Sequence, residues 1–276
     1  MKIIKSYGER VEYDPDKIRH SLERTGASKE LIEHVIERVS RKVKEGMTTR
    51  RLYTIVRREL RRAAKGIAFR YNLRDALLKL GPAGYKFEKY VSSVLNAYQY
   101  EAAVPKNDYH GICVNHEVDV VASKEDRTVM IEAKFRNNFS DSVNLRDTMA
   151  TWARWIDLSD GAKAGKCPRF DELWIVTNGR FSDRSLQYGL CKGIHMVGWS
   201  TKESLSRLVD HASLYPITIL DDLKPWEVNR FSDRNIMLCR EIVGRRPDNL
   251  ANRLGLPKER VKEIIANCQA AIQEKP

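Results

Sequence analysis

Asp119, Glu132 and Lys134 have the residue types and spacing for hydrolytic chemistry. The stretch around them reads His116-Glu117-Val118-Asp119-Val120-Val121, a polar break Ser123-Lys124-Glu125-Asp126-Arg127, then Val129-Met130-Ile131-Glu132-Ala133-Lys134-Phe135. Both flanks are rich in β-branched and apolar residues, and the break is charged, which is the pattern of a β-hairpin. Side chains on a strand alternate faces, so Glu132 and Lys134 share one face and Ile131, Ala133 and Phe135 the other. Asp119 joins the first pair when the strand register is right. Two carboxylates suit a hard dication such as Mg²⁺ or Mn²⁺. Such an ion polarises a phosphodiester and acidifies water, while an adjacent lysine positions the attacking water or stabilises developing charge. An ordinary exposed strand face also fits these residues, since short matches of this kind arise by chance. Context has to decide between the two.

The elements that must position these groups lie in a chain of 276 residues, long enough for two domains or one with appendages. With 42% hydrophobic and 31% charged residues, its composition is that of a soluble globular protein. A formal charge of +12 makes nucleic acid the first partner to consider. Residues 1–80 hold 21 Lys/Arg against 11 Asp/Glu, so most of the excess sits there. The five cysteines are scattered without a CxxC pair, which indicates neither a zinc site nor a disulfide framework. The Met1-Lys2-Ile3-Ile4-Lys5 start has no run fit for a signal peptide and no stretch is long and apolar enough to span a membrane, so the cytoplasm is the expected location.

In chain order, residues 1–13 read as a small hairpin, and Asp14-Pro15-Asp16 supplies a cap and a proline for a helix start. Helical patterns follow at roughly 15–25, 28–45 and 48–64, with a last helix from Ala68 to Leu80. The second carries Leu31, Ile32, Val35, Ile36, Val39 and Val43 at spacings of three and four, an amphipathic stripe. This order resembles the ATP-cone, a small regulatory nucleotide-binding module. The matching residues are Ile4-Lys5 before Gly8, Glu12-Tyr13-Asp14, Lys17-Ile18, and Ile67-Ala68…Tyr71…Arg74. The resemblance implies ATP or dATP as effector, with Lys5 and Lys17 as phosphate contacts. Ser6-Tyr7 stands where the family has a basic–acidic pair. Read from the residues alone, the same region is a basic helical module touching DNA backbone, or a solvated surface. Arg57-Arg58 and Arg61-Arg62 suit either.

Leu80-Gly81-Pro82-Ala83-Gly84 marks the expected boundary. A helix then starts at Tyr85, with Phe87, Val91, Val94 and Leu95 on one side and Glu88 in its first turn, where a carboxylate is favoured by the helix dipole or is simply a surface charge. After the hairpin come a polar segment, Asn137 to Asp147, and a helix in which Trp152 and Trp155 read as core anchors rather than base-stacking platforms. A buried strand follows at 172–178, a helix from Phe181 to Leu190 and a strand from His195 to Trp199, an order that suits an α/β layer around a mixed sheet. Phe87-Glu88, Glu117-Val118-Asp119-Val120, Ile131-Glu132-Ala133-Lys134, Trp174-Ile175-Val176-Thr177-Asn178-Gly179-Arg180-Phe181 and Gly193-Ile194-His195 occur in one order. Together they look like the Mrr-type branch of the PD-(D/E)XK nuclease superfamily. That resemblance implies a restriction-endonuclease-like mixed sheet flanked by helices. It also implies that Asp119 and Glu132 bind metal and that Glu88, Asp119, Glu132 and Lys134 are the catalytic set. Glu117 reads as a neighbouring or alternative ligand, His116 as a structural residue or substrate contact, and Asn178 and Arg180 as phosphate contacts or turn residues.

From Pro216 the chain reads as helical, and Leu250 to Val261 is similar to a helix-hairpin-helix module, although the second glycine is absent and a structural cap fits the same residues. The expected organisation is therefore an ATP-cone-like domain at 1–80, a nuclease domain at 81–215 and a helical, DNA-binding segment at 216–276. The function implied is a Mg²⁺-dependent DNA endonuclease regulated by a nucleotide, acting as a homodimer so that both strands are cut. The alternative is a non-catalytic, nucleotide-responsive DNA-binding regulator on a nuclease-like scaffold.

Overall fold

A computed structural model describes residues 1–5, 7–81, 85–138, 141–199 and 201–273. Ser6, the Pro82-Ala83-Gly84 part of the expected boundary, and Phe139-Ser140 of the polar segment lie outside the described residues. The chain divides into two compact units. One comprises Met1–Ala76 with Ile219–Leu223 and Cys239–Pro276; the other comprises Leu77–Thr218 with Lys224–Leu238. The stretch from 216 onward, expected as one segment, is thus shared between them.

In the first unit, β1 (Lys2–Ile4) pairs antiparallel with β2 (Arg10–Glu12). Helix α1 (Pro15–Glu23) starts where the Asp14 carboxylate accepts from the Asp16 amide at 2.9 Å, and α2 (Lys29–Ser40) where the Ser28 hydroxyl accepts from Leu31. Strand β3 (Met47–Thr48) adds to β1 in parallel, a pairing between segments more than 40 residues apart that no local pattern announces. Helix α3 (Thr49–Ala63) follows. Leu22, Val35, Val39, Val56 and Leu60 are buried in the core these helices share. Glu59 is also buried, between Lys42 at 2.5 Å and Arg38 at 2.7 Å. Hydrogen bonds from Lys42, then Arg38, outweigh burial and hold its carboxyl below the usual range.

The single helix expected from Ala68 to Leu80 is two, α4 (Lys65–Tyr71) and α5 (Leu73–Leu78). They break at Asn72, whose buried side chain accepts from Tyr53 Oη at 2.9 Å and donates to Asp221 Oδ1 at 2.8 Å. A buried amide that satisfies itself through its neighbours fixes the chain where helical periodicity alone would run on.

The second unit is built on a five-stranded mixed sheet. Helix α6 (Tyr85–Ala97) packs against β4 (Glu101–Ala103), and a short ribbon of β5 (Tyr109–His110) and β6 (Asn115–His116) precedes the hairpin of β7 (Val120–Lys124) and β8 (Arg127–Lys134). The hairpin is tighter than its polar break suggests: Lys124 pairs with Arg127 across a two-residue turn in which Glu125 takes φ 55°. A bridge from β9 (Ser142–Val143) leads to α7 (Leu145–Lys163), closed by a reciprocal cap between Asn144 and Asp147. Then come β10 (Glu172–Thr177), β11 (Arg180–Phe181), α8 (Asp183–Lys192), β12 (His195–Val197) and α9 (Leu205–Ala212). Phe181 pairs with Val143 instead of starting α8, which begins beyond the Ser182 cap.

The sheet order is β12-β10-β8-β7-β4, with β8 in the centre, parallel to β10 and antiparallel to β7. Met130, Leu173 and Ile175 share a core with Leu158 of α7, Phe170 and Ile194. Phe135, of opposite parity, meets Phe87 of α6 with ring centroids 5.8 Å apart.

Gly161 lets α7 approach the β5–β6 ribbon. A Cβ at this position stands 2.5 Å from the His110 carbonyl oxygen. Because that neighbour is backbone, Gly161→Ala is expected to cost about 1–3 kcal/mol, read as a lowered melting temperature with the secondary-structure spectrum retained.

The remaining α-helices are α10 (Pro225–Ser232) in the second unit, and α11 (Pro247–Leu254) and α12 (Lys258–Gln273) in the first. Gly255, at φ 64°, makes the turn between the last two. Helix α12 buries Val261, Ile264, Cys268 and Ala271, packs against α4, and Lys65 donates to Asn267 at 2.6 Å.

Candidate functional site

The β7–β8 register answers the question the sequence left open. Val120 pairs with Ile131, so Asp119 sits one residue before β7 and beside Glu132. Its Oδ2 accepts from the Ala133 amide at 2.7 Å, which fixes the carboxylate at the end of the hairpin. Glu132, on the central strand, has a side chain only 3% exposed. Its Oε1 accepts from Lys134 Nζ, and its Oε2 from Arg154 Nη1 at 2.6 Å. Strand β10 braces the other side of β8, with Ile175 opposite Glu132 and Thr177 opposite Lys134.

The carboxyls at this spot feel one another. Burial, then the Glu132 charge, raises the Asp119 carboxyl to about 6 despite the Ala133 amide, Lys134 and Arg154. Glu88 is raised to about 7 by burial and by the charges of Asp119, Glu117 and Glu132. The first turn of α6 thus delivers Glu88 into the field of the hairpin carboxylates. Burial is the larger cause at both carboxyls and the neighbouring carboxylates the smaller, and groups perturbed in this way are candidates for a functional site. Carboxylate oxygens are the kind of donor that hard dications take. Among the described residues, no three His, Cys, Asp or Glu side chains are placed to hold one ion.

Arg154 is the residue that sequence reasoning missed. It lies on α7, with Nη1 also 3.3 Å from the Glu117 carbonyl. The available signal was one cation in an apolar run, Trp152-Ala153-Arg154-Trp155-Ile156, but its partner on β8 is set by helix-on-sheet packing. Trp152 and Trp155, stacked at 5.0 Å and packed against the core, anchor the helix around it.

Other candidates have local partners. His116 Nε2 lies 2.8 Å from Asp157 Oδ2, and the same carboxylate accepts from the Cys113 amide at 2.9 Å and the Val114 amide at 3.3 Å, so this histidine ties down the ribbon. Asn178 spends its amide on Arg136, accepting from its N at 2.7 Å and donating to its O at 2.9 Å. Arg180 is exposed on β11. In the first unit, Lys5 Nζ donates to Tyr7 Oη and to Glu9 Oε2, each at 2.8 Å, across the turn of the β1–β2 hairpin. Lys17 projects from α1 with 71% side-chain exposure, 3.8 Å from Asp14.

Fold and site together define a mixed α/β protein with an ATP-cone domain at its N-terminus, for residues 1–75 match the ATP cone domain family. ATP-cone domains bind nucleotide effectors such as ATP and dATP. The chain belongs to the AF1548-like family. Residues 215–271 match the family described as AF1548-like, C-terminal. An uncharacterized protein of Archaeoglobus fulgidus is 35% identical over 164 residues, 59% of this chain and 88% of the relative. A crystal structure titled as a protein of unknown function, AF1548, aligns at a TM-score of 0.59 and 32% identity, covering 68% of this chain and 97% of that one. Among the described residues, no helix is long and apolar enough to cross a membrane.

Proposed function

We propose that this protein is a metal-dependent DNA endonuclease whose activity responds to a nucleotide bound by its ATP-cone domain. The observation that carries the reading is the gathering of Glu88, Asp119, Glu132 and Lys134 at one end of the central hairpin, with two carboxyls raised above their ordinary range. Asp119 and Glu132 are the residues to hold Mg²⁺ or Mn²⁺, with Glu88 supporting them. When bound, the ion supplies charge neutralisation to the phosphodiester and acidifies water. Asp119 is held in place by the Ala133 amide, and Lys134 presents its ammonium to the phosphate as negative charge develops. The chain's +12 charge draws it to DNA in a salt-dependent way. Two copies acting together would cut both strands.

The test is direct. Supercoiled, linear and branched DNA are incubated with the protein, with and without Mg²⁺ and ATP. Mg²⁺-dependent scission that is lost in Glu132→Ala and Lys134→Ala supports the reading, and equal cutting by wild type and both variants refutes it.

A second reading is a non-catalytic, nucleotide-responsive DNA-binding regulator. It is favoured by the two cations already paired with Glu132, Lys134 on Oε1 and Arg154 on Oε2. It requires salt-sensitive DNA binding with no scission under any divalent ion.

For the nucleotide module, Lys5→Ala and Lys17→Ala are each expected to weaken ATP binding by at least about tenfold, the value of one charge-assisted contact. Calorimetric titration with ATP and dATP measures it. Unchanged affinity in both variants would place the phosphates elsewhere.

A further inference from the structure

The Asp119…Glu132-Ala133-Lys134 pattern contains one cation, and the folded site contains two. Glu132 is almost entirely shielded from water, so its charge must be met by protein groups or by an ion. Lys134 meets it from two residues along the same strand, and Arg154 meets it from α7 at 2.6 Å. The Arg154 side chain is 29% exposed, so part of it reaches solvent while Nη1 stays on the carboxylate. Its helix is pinned at several points: the Asn144 cap, the contact of Asp147 with Arg136 at 2.5 Å, and the Thr148–Ser185 hydroxyl pair at 2.5 Å. The guanidinium therefore has a fixed base and a free edge.

A dication that takes the Glu132 oxygens meets this guanidinium as a competitor for the same charge. Once displaced, Arg154 remains beside the site with five N–H donors in a planar fork, a geometry that fits phosphate as well as carboxylate. We propose that Arg154 is a counter-ion switch: it neutralises Glu132 in the ion-free protein, and is released to grip a DNA phosphate when a dication occupies Asp119 and Glu132. This rests on the reading of the site as a metal-dependent nuclease centre, and it adds a residue that the motif does not contain.

Arg154→Gln keeps a hydrogen-bond donor but removes the competing charge. Mn²⁺ alone, titrated into the full-length protein without DNA and followed by electron paramagnetic resonance, is expected to bind this variant about tenfold more tightly than wild type. Arg154→Lys keeps the charge and loses the fork, so its Mn²⁺ affinity should stay near wild type. With Ca²⁺ in place of Mg²⁺, both variants should bind duplex DNA several-fold more weakly. Thermal melts guard against a misfolded variant: Arg154→Gln should melt below wild type without Mn²⁺, and the gap should close as Mn²⁺ saturates. Mn²⁺ affinity that is unchanged or weaker in Arg154→Gln, or a melting gap indifferent to Mn²⁺, overturns the switch. DNA affinity unchanged in both variants overturns the phosphate role. Failure of the nuclease reading looks different: wild type would cut no DNA with any ion, while the Mn²⁺ response of Arg154→Gln persisted.

Discussion

Under the proposed endonuclease function, Lys134→Ala and Glu132→Ala are each expected to lower Mg²⁺-dependent DNA cleavage by about 10²–10³-fold, the usual loss when one preorganised charge at a reacting centre is removed. The two variants should fail for different reasons. Lys134→Ala removes an ammonium and leaves Glu132 with Arg154 alone, so metal binding should persist or strengthen while the rate falls. Glu132→Ala removes a ligand and strands two cations in a partly buried place, so metal binding itself should be lost. Single-turnover cleavage, set against Mn²⁺ titration of the same proteins, separates these outcomes. Acid should silence the site as well. Glu88 at about 7 and Asp119 at about 6 must be ionised to support a cation, so cleavage should decline as pH falls below about 7 and steeply below 6.

Stability runs the other way for these groups. A carboxyl whose pKa is raised in the folded state binds its proton more tightly there than in the unfolded chain, where Glu88 has its ordinary value of 4.5. Its contribution is therefore fully present below about 4.5 and is lost as pH rises through about 7. Against wild type, Glu88→Gln should lose this dependence over that window, and melting curves from pH 5 to 8 will show whether it does.

Phe87→Ala is the second large effect, and it falls on the fold. Phe87 is fully buried on α6 and meets Phe135 across the β8 side opposite Glu132. Truncating a buried phenylalanine costs about 3–5 kcal/mol, transfer and cavity together. At this size that corresponds to a melting temperature lower by roughly 6–20 °C. The second unit should bear the loss, since Phe87, Tyr90 and Val91 together seat α6 on the sheet. Phe87→Leu should recover most of it. A melt within 2 °C of wild type for Phe87→Ala would mean that α6 contributes little to the unit. Cleavage measured well below the melt should fall modestly in Phe87→Ala, because Glu88 loses its seat next to the hairpin.

Local periodicity and capping determined a good deal of this protein. The β1–β2 hairpin, the Asp14 cap, the amphipathic stripe of α2, the run of β10 and the alternation on β8 are short-range patterns, written in neighbouring residues and legible without the fold. Glu132 and Lys134 on one strand face are of this kind, since their common side follows from the pleat. What the sequence could not decide depends on segments far apart in the chain. Strand β3 completes a sheet begun more than 40 residues earlier, Asn72 breaks a helix because Tyr53 and Asp221 reach its amide, and the residues after 216 divide between two units. At the site, the hairpin register placed Asp119 beside Glu132, and the packing of α7 on the sheet brought in Arg154. A strand pattern names the carboxylates, but the cation that meets Glu132 across 22 residues of sequence is chosen by tertiary packing, because only burial makes an unpaired charge costly enough to require one.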